Sequence, residues 1–121
     1  MAAGPQRITL RRSKGFDLQR ASQALNGLSA VTVARPGKWG NPFTISDVAA
    51  RFGLDPVAAQ AKAVALHRDW MDGRLDPAFD PGRPPPGRAE IVAALGGHNL
   101  ACWCKPGTPC HADLLIALAS R

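Results

Sequence analysis

Asn99-Leu-Ala-Cys-Trp-Cys-Lys-Pro-Gly-Thr-Pro-Cys-His-Ala-Asp113 is the stretch on which the fold turns. Asn99 to Cys104 is apolar on both faces, the pattern of a strand buried in the middle of a sheet. Lys105 to Pro109 is a turn rich in proline and glycine, and Cys110 to Ala119 reads as a helix. A central strand feeding directly into a helix is the unit of an α/β layer.

The rest of the chain fits that unit. Arg88 to Leu95 is a short helix closed by Gly96-Gly97. Residues 74–87, with five prolines and two glycines, form an irregular surface loop. Asp55-Pro56 is a cap followed by proline at the first helical position, and it opens a helix through Met71. Val57, Ala61, Val64, Leu66 and Trp70 mark its apolar face. Ser46 caps a shorter helix that ends at Phe52 and Gly53.

Ala30 to Ala34 is a second strand, left through Arg35-Pro36-Gly37, where proline enforces an extended exit and glycine permits a turn. Asp17 to Leu25 is helical and stops at Asn26-Gly27, and Arg7 to Arg12 alternates as a first strand. The expected fold is α/β: a small single-layer, mostly parallel sheet of three or four strands flanked by helices. Residues 1–121 are expected to form one domain, because a chain of this length has room for one core.

No apolar run approaches the roughly 20 residues of a membrane span. The opening Met-Ala-Ala-Gly-Pro-Gln lacks the apolar segment of a secretory signal, so a cytoplasmic protein without a membrane partner is expected. The three cysteines are an odd number confined to residues 102–110, which argues against a disulfide framework. The formal net charge of +6 resides in residues 1–43, where Arg7, Arg11, Arg12, Lys14, Arg20, Arg35 and Lys38 face only Asp17. Residues 44–121 are balanced, with eight basic and eight acidic side chains. A localised basic surface gathers anions, phosphate above all. A set of solvated arginines is the plainer account. No helix-turn-helix or basic zipper accompanies the charge.

Two segments carry chemistry. Arg35-Pro-Gly-Lys-Trp-Gly-Asn-Pro-Phe43 follows the second strand, where open α/β sheets bind their ligands. Arg35 and Lys38 bring charge, Asn41 a donor and an acceptor, and Trp39 a flat stacking surface. Equally, the segment is a rigid turn whose Trp39 and Phe43 plug the core.

In the segment quoted first, strand alternation puts Cys102 and Cys104 on one face, and Cys110-His111 arrives at a helix start. Three accounts stay open. Cys102, Cys104, Cys110 and His111 suffice chemically for zinc, although C-x-C lacks the turn of the common knuckle. Alternatively Cys110, His111 and Asp113 form a reactive or polar site, with the helix start lowering a thiol pKa and Cys104 near the substrate. Or the thiols are small buried hydrophobes. His67 and His98 have no ligand-like neighbours and read as structural or solvent-facing.

The strand Ile8-Thr-Leu-Arg-Arg-Ser-Lys-Gly15, the Arg-Pro-Gly-Lys-Trp-Gly-Asn-Pro-Phe loop and the Cys-Trp-Cys…Cys-His-Ala-Asp segment together resemble a known family. It is a bacterial and phage family catalogued as domain of unknown function 4326. The resemblance implies a fold neighbourhood, and the phage occurrence accords with nucleotide or DNA metabolism.

The expected function is binding of a phosphate-bearing ligand: a nucleotide, nucleoside or nucleic-acid component. Arg11, Arg12, Lys14, Arg35, Lys38, Trp39, Asn41 and Cys104 would bind it. Any reaction would lie at a nucleoside or sugar centre, with Cys110, His111 and Asp113 as its polar groups and no cofactor. The alternative is a non-catalytic zinc-binding or DNA-binding module. The expectation rests on the Trp39 loop and the Cys110-His111 corner converging on a single cleft.

Overall fold

The computed structural model describes residues 4–35 and 37–120. Met1 to Ala3, with which the opening segment begins, and Pro36, expected to force the exit of the second strand, lie outside the described residues.

Three strands, β1 (Arg7–Thr9), β2 (Ala30–Thr32) and β3 (Asn99–Cys102), form one parallel sheet in the order β1-β3-β2. β3 is central and wholly buried, as its two-sided apolar pattern predicts. Registers Ile8↔Ala101 and Val31↔Leu100 fix the pairing. The helices are α1 (Leu18–Asn26), α2 (Ile45–Phe52), α3 (Pro56–Met71), α4 (Arg88–Leu95) and α5 (His111–Ala119). The small α/β architecture is thus as expected, with three strands.

Each face of β3 has its own partner. Leu100 and Cys102 join Val33, Ile91, Leu95 and Leu115 in the main core, which brings α4 and α5 onto that face. Asn99 turns to the other face, where its amide donates to Ser22 Oγ of α1 at 2.7 Å. A second cluster, Val48, Ala59, Ala63 and Leu66, closes α2 on α3. Asn41 stitches this cluster to the preceding loop, donating to the Ala63 carbonyl (3.1 Å) and accepting from the Phe43 amide (2.9 Å).

The strands are shorter than expected, ending at Thr9, Thr32 and Cys102 rather than Arg12, Ala34 and Cys104. The ladder runs one bond further, from Leu10 N to Cys102 O (2.7 Å) and from Val33 N to Ala101 O (2.9 Å). Beyond it, side chains take the next carbonyls. Thr9 Oγ1 donates to Cys104 O (2.8 Å), and His111 Nε2 lies 2.7 Å from Val33 O.

The cap of α2 is Thr44, whose hydroxyl accepts from Asp47 N, and Ser46 already lies inside the helix. Asp55 caps α3 as expected, and Asp17, expected as the first residue of its helix, is instead the cap of α1. The buried face of α3 is Ala59, Ala63, Leu66, His67 and Trp70. Val57 is 80% exposed and Ala61 is exposed, because α2 packs along Ala59 and Ala63 instead. Loop 74–87 is irregular apart from one 3₁₀ turn at Pro77–Phe79, started by Asp76.

Candidate functional site

All three strands release their chains at the carboxyl edge of the sheet. Residues 10–16 leave β1, residues 33–43 leave β2, and residues 103–109 leave β3 and lead into α5. β1 and β2 are separated there by one strand, or about 10 Å.

On the β1 side, the Arg12 guanidinium stands 4.9 Å above the ring of Trp103, which is 48% exposed. Arg7 clamps the turn before α5. Its guanidinium donates to Thr108 O (2.8 Å) and Lys105 O (3.2 Å) and pairs with Asp113 (2.9 Å). An open cleft of about 550 Å³ runs beside β1, lined by Arg7, Ile8, Arg11, Phe16 and Gly107 among others. That volume lies within the range of small-ligand pockets. β1 is an edge strand, so among the described residues its outer backbone groups have no sheet partner.

On the β2 side the loop is held from within. Arg35 donates to the Asn41 carbonyl (2.8 Å), and Gly40 closes against it; a Cβ there would stand 2.8 Å from Arg35 Cγ and 3.0 Å from Arg35 Cα. Glycine is therefore required at position 40. Lys38 lies over the Trp39 ring at 5.3 Å and pairs with Glu90. Trp39 is half-buried against the main core. Asn41 is buried, its amide committed to Ala63 and Phe43.

Between the two sides sit the thiols. Cys102, Cys104 and Cys110 bring their sulfurs within 4.8 Å of one another, with Cys110 and Cys102 in contact at 3.2 Å. Strand alternation had placed Cys102 and Cys104 on one face, and the turn returns Cys110 to them. Cys102 and Cys110 are buried, while Cys104 is partly exposed. Each thiol is raised by its contact with one neighbouring sulfur and lowered by its contact with the other, burial adds to the rise, and all three stand at about 11. Cys110 at the start of α5 is thus a neutral buried thiol, and the lowered pKa expected of a helix start is overridden.

His111 is buried, with Nε2 on Val33 O and Nδ1 3.8 Å from Cys110 Sγ. Burial lowers its pKa most, and the backbone of Val33 and of Trp39 pulls the other way. Trp39 packs against the core that holds Cys110, but the Cys110-His111 corner is buried and neither it nor the Trp39 loop lines the cleft beside β1, so the single cleft expected of the two is not found there. Asp113 is exposed and pairs with Arg7. Arg11, Arg12 and Lys14 belong to the β1 side, and Arg35, Lys38, Trp39 and Asn41 to the β2 side.

Sequence reasoning missed Arg7, Phe16, Trp103 and His67 as site neighbours. Arg7 had one available signal, since it shares a strand face with Thr9 and Arg11. His67 had none. Its ring, 1% exposed, meets that of His111 edge-on at 5.3 Å between centroids.

The family model described as Domain of unknown function (DUF4326) matches residues 16–121. The match begins just after the basic residues that follow β1. No curated protein and no solved structure matches the chain.

Proposed function

The chain belongs to the DUF4326 family, and on that premise we propose that it binds a phosphate-bearing ligand of the nucleotide class in the cleft beside β1. One observation carries the reading: the cleft is lined by Arg7 of the edge strand β1 and by Arg11 just beyond it, the neighbour in sequence of Arg12, which stacks on Trp103. Among the described residues the ion pairs are Arg7–Asp113 and Lys38–Glu90. Arg11, Arg12 and Lys14 therefore have no acidic partner and are available to a phosphate. Phe16, in the cleft lining, offers aromatic surface to a base. Arg35 and Lys38 would reach only a ligand long enough to cross β3.

Cys110 and His111 are buried and Asp113 faces Arg7, so their contribution is to shape the wall behind the turn. The thiol triangle favours a second reading, a metal-holding module, which stands independently of the cleft.

Thermal shift against inorganic phosphate, a nucleoside, its 5′-monophosphate and a short single-stranded oligonucleotide tests the proposal. The monophosphate at ~100 times its Kd should stabilise by about 2.7 kcal/mol, and the plain nucleoside should not. Arg11→Ala should weaken binding about tenfold or more, the cost of a charge-assisted hydrogen bond. If the oligonucleotide is the preferred form, its affinity should fall with salt by about 0.7 log unit per log unit for each phosphate contact. An equal response to nucleoside and monophosphate, or no response to any phosphate-bearing probe, contradicts the proposal.

A further inference from the structure

We infer that Cys102, Cys104 and Cys110 form a three-thiolate site for a single zinc-class cation, with the fourth coordination position open to a ligand from outside the chain. The inference is independent of the phosphate cleft. Zinc–sulfur bonds of about 2.3 Å in a tetrahedron demand sulfurs about 3.8 Å apart. The shortest separation here is 3.2 Å and none exceeds 4.8 Å, so rotations of under an ångström per sulfur suffice.

The site is built from fixed parts. Cys102 ends a buried central strand, Cys110 is the residue before the first turn of α5, and the turn joining them is held by Arg7. Arg7 stands near Cys104 and offsets part of the added negative charge.

His111 does not complete the set. Its nitrogens fall outside the thiol cluster, and Nε2 is held by the Val33 carbonyl. Cys102 and Cys110 are buried beneath the cation, so the open position faces out on the side of the partly exposed Cys104. Three protein ligands with one vacant position is the pattern of zinc sites that bind or activate a small ligand. Loading converts three thiols to three thiolates and releases three protons to solvent for each divalent ion bound; no oxidant or reductant is needed.

Cobalt(II) titration of the reduced full-length protein, followed by displacement with zinc, tests the site. One cobalt per chain should bind with sulfur-to-metal charge-transfer absorption, release three protons and protect three thiols from a thiol reagent. Cys104→Ser, in which the partly exposed thiol is replaced with little change to the core, should lose the absorption while keeping the far-ultraviolet dichroism of the parent. His111→Gln should retain it. Added imidazole or azide should shift the visible bands as it enters the open position.

Absence of charge-transfer absorption in the fully reduced protein overturns the inference, as does protection of only two thiols through a Cys102–Cys110 disulfide. Loss of the absorption in His111→Gln, together with bands indifferent to azide, overturns the open position. None of these outcomes changes the nucleotide thermal shift of Arg11→Ala, so the two proposals fail separately.

Discussion

Asn99→Ala will destabilise the protein by about 3–4 kcal/mol, more than any substitution among the exposed basic residues. The Asn99 side chain is fully buried between β3 and α1. Its Nδ2 donates to Ser22 Oγ (2.7 Å) and to Asn26 Oδ1 (2.8 Å), while its Oδ1 accepts from Gln6 N (2.9 Å) and Asn26 Nδ2 (2.8 Å). Deleting its hub removes these four hydrogen bonds and leaves the Gln6 N–H without its partner, while Ser22 keeps the Leu28 carbonyl and Asn26 keeps Gly4 O and Leu28 N. Each buried group left unpaired costs about 1–3 kcal/mol, tempered by relaxation toward the surface at Asn26. Urea unfolding of Asn99→Ala, Ser22→Ala and the double variant measures this. The midpoint should fall with an unchanged slope, and the double variant should cost less than the sum of the singles. Strict additivity would show that the network is not one unit.

The second large effect is acid destabilisation through His67. Burial, then the nearby His111 and Arg83 charges, push its imidazole down to about 3, from 6.5 in the unfolded chain. Between those values the unfolded state binds the extra proton, so stability is complete above pH 6.5 and declines as pH falls toward 3. From pH 7 to pH 5 this amounts to about 2 kcal/mol from His67 alone. His111 is lowered as well and adds in the same direction.

His67 Nδ1 makes no hydrogen bond to the protein, so His67→Leu leaves few groups unpaired and should fold at pH 7 within about 1 kcal/mol of the parent. At pH 5 the variant should be the more stable of the two by about 2 kcal/mol. Parallel pH profiles for parent and variant would show that His67 is already protonated or solvated in the folded state.

How much of this was legible beforehand follows from the range of each interaction. Caps are local, so Asp55 announced its helix, and alternation put Cys102 and Cys104 on one face. β3 was recognisable as central because both faces are apolar. The strand ends were not legible, since they depend on where Thr9 and His111 find carbonyls in distant segments. Asn41 reads in sequence like a ligand-binding amide, and only the approach of α3 shows it spent on Ala63. The His67–His111 contact joins α3 to α5, and the Arg12–Trp103 stack joins the exits of two strands. Neither has a periodicity to betray it.

The central claim is that the basic exit of β1 and the aromatic exit of β3 form one phosphate-ligand site. The indole N–H resonances of Trp39, Trp70 and Trp103 provide three internal reporters for it. Trp103 holds the guanidinium of Arg12, the neighbour in sequence of the cleft-lining Arg11, whereas Trp70 is buried on α3 with its N–H on the Arg83 carbonyl. Titration of a nucleoside 5′-monophosphate should move the Trp103 indole signal saturably and leave Trp70 in place, and Arg11→Ala should shift the midpoint to higher concentration. Saturable binding that leaves Trp103 unmoved, or a midpoint indifferent to Arg11, would contradict it.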